Sequence, residues 1–174
     1  LNIFDVEELP THGGSLRVFA QRKDTGTHAS TSRVSELLNR EQSAGMMTTA
    51  FYEGFQSKAD RVKDDLLAFL IEAKRGGKSI VGYGAAAKGN TLLNYAGVRP
   101  DLVSYVVDLN PAKQGKYLPG SRIPIVAESC IHDNRPDYVI ILPWNLRDEI
   151  MKQLAYIRAW GGRFVIAVPK LEVV

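Results

Sequence analysis

The chain has 174 residues, 45% hydrophobic and 24% charged, enough for one well-buried core with an appendage and typical of a soluble globular protein. That balance excludes a disordered tail, a collagen-like repeat and a fibrous rod. Net charge is +3 from 22 basic and 19 acidic residues, scattered without a basic block. No nucleic-acid partner is expected, whereas a small anionic ligand suits the balance.

The longest apolar run, Leu66 to Ile71, is walled in by Lys63, Asp64, Asp65 and Glu72, so no membrane span is expected. A single cysteine, Cys130, allows no internal disulfide, and with three dispersed histidines it makes no credible zinc set. Cytoplasmic location, no bound metal and a buried structural thiol at Cys130 are the expectations. The chain begins at Leu1 with neither Met nor a leader, which reads as a piece of a larger protein.

In chain order, Ile3 to Gln21 holds two short apolar stretches around a Pro-Thr-His-Gly-Gly turn, the second alternating like a strand. Arg22 to Ser32 is polar and reads as a linker. A short helix is predicted around Val34 to Glu41, closed near Gly45. A long one follows, with Phe51, Phe55, Val62, Leu66, Phe69 and Ala73 close to one stripe and Gly76-Gly77 as its stop. Beyond Gly77, apolar strands alternate with helices. Strands are predicted at Ser79–Gly82, Leu102–Val107, Ile123–Val126, Tyr138–Leu142 and Phe164–Val168, with a helix over Ala87–Tyr95. Asn145 is the predicted cap of a helix carrying Ile150, Leu154 and Ile157 inward. Continuous apolar strands with crossover helices imply a parallel sheet covered on both faces. The expected fold is α/β: a Rossmann-like, doubly wound, mostly parallel five-stranded sheet, preceded by a β-hairpin segment and a long helix.

The segment Ile80 to Asn94 (IVGYGAAAKGNTLLN) reads as strand, glycine turn and helix. Gly82 and Gly84 permit a tight turn, Ala87 fills the third small position, and the helix amides favour a phosphate or carboxylate. Lys88 and Asn90 lie in the first helical turn, and Asp108 ends the next strand where it can meet a ribose hydroxyl. The competing reading is that these small residues only let a helix pack on a strand. A second candidate is Thr11 to Arg17, where His12, Ser15 and Arg17 surround a Gly-Gly turn; from the residues alone an ordinary hairpin loop is the favoured reading. Trp144 and Asn145 follow a strand on the rim where open α/β sheets bind ligands, Trp144 as a stacking platform or as a helix anchor. His28 and His132 have no acidic partners nearby in sequence and receive no role.

DVEELPTHGGSLR, GYGAAAKGNTLLNY, VVDLNPAKQGKYLPG, RPDYVIILPWNLRDEI and WGGRFV, in this order, resemble the carboxy-terminal part of the S-adenosylmethionine-dependent sugar C-methyltransferases. Those enzymes methylate a carbon of nucleotide-linked keto-deoxysugars. They combine an amino-terminal zinc-binding module, a central methyl-donor-binding Rossmann domain and a second Rossmann-like domain without donor. The resemblance implies that residues 1–22 are the closing strand pair of the central domain, 23–77 linker and helices, and 78–174 the second Rossmann-like domain. The family's zinc cysteines, acidic donor loop and Tyr-x-Glu-His base segment are absent from this sequence.

It follows that no catalytic residue and no bound S-adenosylmethionine are expected in this chain, which would be inactive alone. The expected role is positioning a nucleotide diphosphate-sugar through His12, Ser15, Arg17, Gly82, Gly84, Lys88, Asn90, Asp108, Trp144 and Asn145. The expected partners are the remaining domains of the parent. Two alternatives stay open: a structural or homodimerising module without ligand, and a nucleotide-sensing module that uses Asp108.

Overall fold

The computed structural model describes every residue except His12 and Gly13. The chain divides into two compact units, residues 1–56 and 57–174.

In the first unit, β1 (Asn2–Leu9) and β2 (Ser15–Gln21) pair antiparallel, with Val6 opposite Val18 and Glu7 opposite Arg17. The segment read as a linker is pinned to this hairpin. The Thr31 amide donates to the Phe4 carbonyl, the Asp5 carboxylate accepts from Thr31 Oγ1 and Arg33, and His28 stacks on Phe4 at 4.6 Å. Gln21 returns both of its amide groups to the backbone of His28, imitating a strand partner. Then come α1 (Ser32–Ser43) and the single turn α2 (Thr49–Tyr52), separated by Gly45 at φ +81°.

The long helix α3 (Phe55–Arg75) buries Leu66, Leu70 and Ala73 in the second unit, a spacing of three to four residues that keeps them on one stripe. Gly77 ends it at φ +68°. The Lys78 amide then reaches back to the Ala73 carbonyl and the Gly77 amide to that of Lys74, satisfying carbonyls the helix itself cannot. The sheet follows: β3 (Ile80–Tyr83), β4 (Val106–Val107), β5 (Ile125–Val126), β6 (Tyr138–Ile141), β7 (Arg163–Ile166) and β8 (Glu172–Val173). Their spatial order is β5-β4-β3-β6-β7-β8, all parallel except β8. The Rossmann-like expectation is borne out, with one short antiparallel edge strand more than expected.

Alternation along the strands divides the core between the two faces. Ile80, Val106, Ile140 and Val165 pack with Leu66, Leu70 and Leu93 from α3 and α4 (Ala87–Tyr95). Val81, Val139, Ile141 and Phe164 pack with Ile131, Ile150 and Ile157. These last come from α5 (Ser129–Asn134), α6 (Arg147–Gln153) and the 3₁₀ turn Ala155–Trp160. Each fully buried aliphatic or aromatic side chain contributes about 1.5–3 kcal/mol, so the sheet is a firm platform for the loops at its ends.

The connections set the place of the site. From β3 the chain crosses through α4 to β4 and β5 on one side, then returns to β6 on the other. The carboxyl ends of β3 and β6 are therefore a switch point, where neighbouring connections diverge and leave a crevice.

Candidate functional site at the switch point

Two loops meet at that crevice, Gly84–Ala86 after β3 and Leu142–Asn145 after β6. Gly84 adopts φ +84°, and a Cβ built there would lie 2.6 Å from Pro143 Cγ. A Cβ on Gly89 would fall 2.5 Å from Leu142 Cβ, and one on Gly82 2.9 Å from Val106 Cγ2. The small residues thus bring α4 and its loop into direct contact with β6 and β4. The packing role weighed from sequence is present at all three glycines.

The loop spends most of its own amides on holding its shape. Gly84 donates to the Val107 carbonyl at 2.7 Å, Ala85 to Asp108 Oδ2 at 2.8 Å, and Ala86 to the Gly84 carbonyl at 2.7 Å. Asn90 donates to the Ala86 carbonyl and closes the first helical turn. The residue at the cap position, Ala86, has no polar side chain to offer, and α4 starts with no side-chain cap. Amides of a first helical turn have no intrahelical acceptor, so those of Ala87, Lys88 and Gly89 face the crevice end uncapped.

Lys88 lies 4.7 Å from the centre of the Trp144 ring and donates to Asn145 Oδ1. The three residues tie the start of α4 to the loop after β6. Asn145 was expected to cap the following helix. Instead it sits in a 3₁₀ turn, Trp144–Leu146, its side chain engaged with Lys88, and α6 begins without a side-chain cap. Local sequence shows a good capping residue but not a lysine 57 positions earlier. Trp144 packs against both halves of the core, so it anchors the rim as well as lining it. Asn90 Oδ1 is buried with no hydrogen-bond partner among the described residues.

Asp108 is 9% exposed and fully engaged. Oδ2 accepts from the Ala85 amide and from Lys113 Nζ at 2.9 Å, and Oδ1 accepts from the Asn110 amide at 2.9 Å. Lys113 Nζ also donates to the Ala85 carbonyl at 3.0 Å. Burial pushes the carboxyl up, but the Asn110 amide, the Lys113 ammonium and the Ala85 amide outweigh it and hold it below the usual carboxylate range. Asp108 and Lys113 together clasp the glycine loop. Sequence reading missed Lys113; its position five residues after Asp108 was the available signal.

A second polar group lies under the opposite face of the sheet. Gln153 Nε2 donates to the Tyr83 hydroxyl and to Glu128 Oε2, both at 2.7 Å, and the Tyr83 and Tyr156 hydroxyls approach the same carboxylate at 3.4 and 3.5 Å. Burial, and then the Glu128 charge, push both phenols up to about 12, so they stay protonated donors at neutral pH.

The hairpin candidates belong to the first unit. Ser15 Oγ donates to the Thr11 carbonyl, and Arg17 pairs with Glu7 across the strands at 3.1 Å. His12 lies outside the described residues. Cys130 is half-buried in α5, more accessible than the buried thiol expected. Among the described residues no group of His, Cys, Asp or Glu is placed to hold a metal ion, and no helix is long and apolar enough to cross a membrane.

Residues 10–169 match the family described as the C-methyltransferase C-terminal domain. The chain belongs to that family. It is also similar to the C-methyltransferase NovU of Streptomyces niveus, 34% identical over 174 residues, which is all of this chain and 41% of the relative. The switch point thus lies within the matched residues, and this chain spans less than half the length of the enzyme it resembles.

Proposed function

We infer that the chain holds the nucleotide end of a nucleotide-linked keto-deoxysugar for an S-adenosylmethionine-dependent C-methyltransferase. In this reading the hairpin, residues 1–22, completes the central donor-binding domain of the parent. The observation that carries it is the uncapped start of α4 at the switch point, with Lys88, Trp144 and Asn145 gathered beside it. Free amides and an ammonium suit a diphosphate, and an indole suits a base or sugar ring.

The methyl donor itself does not fit this crevice. Its ribose needs an acid at the strand end, and the Asp108 carboxylate is already committed to three donors, one of them cationic. The donor supplies an electrophilic methyl group when bound, and its place is in the remainder of the parent. What this chain contributes is orientation: a fixed diphosphate presents the sugar carbon at a constant distance, removing translational freedom from the reaction.

A purely structural module is the competing reading, favoured by the glycine contacts with Val106, Leu142 and Pro143. Amide chemical-shift mapping with thymidine diphosphate separates the two. Nucleotide holding predicts shifts confined to Gly84–Asn90 and Trp144–Asn145, with millimolar affinity (on the order of −4 kcal/mol) that weakens as salt rises. In the parent, Lys88→Ala should raise KM more than it lowers kcat, the sign of lost uniform binding. No shifts at these residues would leave the structural module standing.

A further inference from the structure

At the amino ends of the strands, away from the switch point, an open surface pocket of about 330 Å³ is lined by His132, Arg135, Tyr156, Ala159 and Trp160, of which His132, Arg135 and Ala159 are exposed. Its size is at the low end of the roughly 300–1,000 Å³ usual for small-molecule sites. Three of the five lining residues are aromatic, with ring centres 5.9–6.5 Å apart and the His132 and Trp160 planes at 90°. The polar ends of two rings are taken elsewhere: Trp160 Nε1 donates to the Pro136 carbonyl at 3.1 Å, and the Tyr156 hydroxyl is directed to Glu128. What the Tyr156 and Trp160 rings present to the pocket is carbon surface, with the His132 imidazole beside them.

Two features of Arg135 are shared with Arg122, but Arg135 is the one that lines this pocket. Its side chain has no ion pair and no hydrogen bond among the described residues. It also ends α5 in the left-handed conformation, φ +45° and ψ 60°, a position that glycine or asparagine fills with less strain. A non-glycine residue held in that region is a pointer to function when its side chain lines a cavity. Asp133 and Asp137, the nearest acids in sequence, do not line it, and Asp137 is engaged by Lys78 and Ser79.

We propose that this pocket is a second ligand site, distinct from the switch-point crevice, which takes a planar ring bearing one carboxylate or phosphate group. The ring packs against Tyr156 and Trp160, and the charged substituent meets the Arg135 guanidinium in the planar, two-pronged geometry that guanidinium gives to carboxylate or phosphate. A cationic ligand is excluded by the arginine, and a neutral ring leaves that guanidinium without a partner.

Two anionic probes distinguish the sources of such chemistry: benzoate, a simple aryl acid, and uridine 5′-monophosphate, a nucleotide. Benzyl alcohol supplies the ring without the charge, and acetate the charge without the ring. Binding to the 174-residue chain is followed through the Trp160 indole N–H and the amides of residues 131–135 and 156–160. One anionic probe should bind in the millimolar range, about tenfold or more tighter than either control (roughly one ion contact), and the tighter of the two names the source. Arg135→Gly should raise the thermal midpoint, because glycine is at ease in the left-handed region, yet abolish the preference for the charged probe. Arg135→Asn, also tolerant of that conformation, is the second variant should glycine loosen the turn. The proposal is overturned if neither anionic probe shifts these resonances, if benzyl alcohol binds as well as benzoate, or if both Arg135 variants keep the charge preference.

Discussion

The absence of one methyl group at Gly84 allows two things at once. The residue turns the chain at φ +84°, and it lets the loop lie directly on Pro143. Gly97 offers a natural control, since it has φ +67° but no atom within 4 Å of the place a Cβ would occupy. Gly97→Ala should therefore cost only the left-handed backbone term, about 1–2 kcal/mol. Gly84→Ala carries that term and adds the displacement of Pro143, about 1–3 kcal/mol more as for overpacked cores. Urea unfolding of the two variants checks the difference. Equal midpoints would show that the contact with Pro143 gives way freely and that only the backbone needs glycine here.

At the scale of elements, the clasp between the end of β4 and the glycine loop has a pH signature. The Asp108 carboxyl is held below its ordinary value in the folded chain, so folding is favoured most when it is ionised. That contribution is fully present above the unfolded carboxylate pKa, about 3.9, and is lost as pH falls through the lower folded value. Asp108→Asn should remove it: wild type and variant should differ most near neutrality and converge as pH falls through the lowered folded value, measured by urea midpoints across pH. Lys113→Met should loosen the same loop without affecting Ala85–Asp108 pairing directly. The long apolar runs that became β3, β6 and β7 were readable because strands buried on both faces need no alternation. The same rule misplaced β4. Leu102 to Val107 looks like one strand, yet the Leu102 and Val103 amides both turn back to the Arg99 carbonyl, backbone bonding to β3 begins only at Ser104, and the strand proper is Val106–Val107. Val103 is buried in that turn at 0% exposure, and hydropathy cannot tell a buried turn from a strand. β8 escaped notice because two residues on an edge leave no pattern. The candidate site was legible as a glycine loop with Lys88, whereas Lys113 and the Lys88–Asn145 tie are tertiary facts.

With the methyl donor held by the rest of the parent, as proposed, there is at the scale of the whole molecule a ligand this chain should refuse. S-adenosylmethionine carries a sulfonium cation and an adenosine diol; thymidine diphosphate carries several negative charges and no ribose diol. The crevice sets Lys88 and Lys113 around one loop and leaves no uncommitted acid at the ends of β3 and β4, since Asp108 is bonded to Ala85, Asn110 and Lys113. At an effective dielectric near that of a protein surface, a like charge about 4 Å away costs up to roughly 4 kcal/mol, so the sulfonium is the wrong sign for this site. Calorimetry on the 174-residue chain should find no donor binding in the micromolar range, and the proposed diphosphate binding should fall with ionic strength while any residual donor heat does not. Micromolar donor affinity in this chain alone would place the donor at the switch point after all. It would then make Asp108 a ribose ligand that must first release Lys113, and Lys113→Met would tighten the donor, not weaken it.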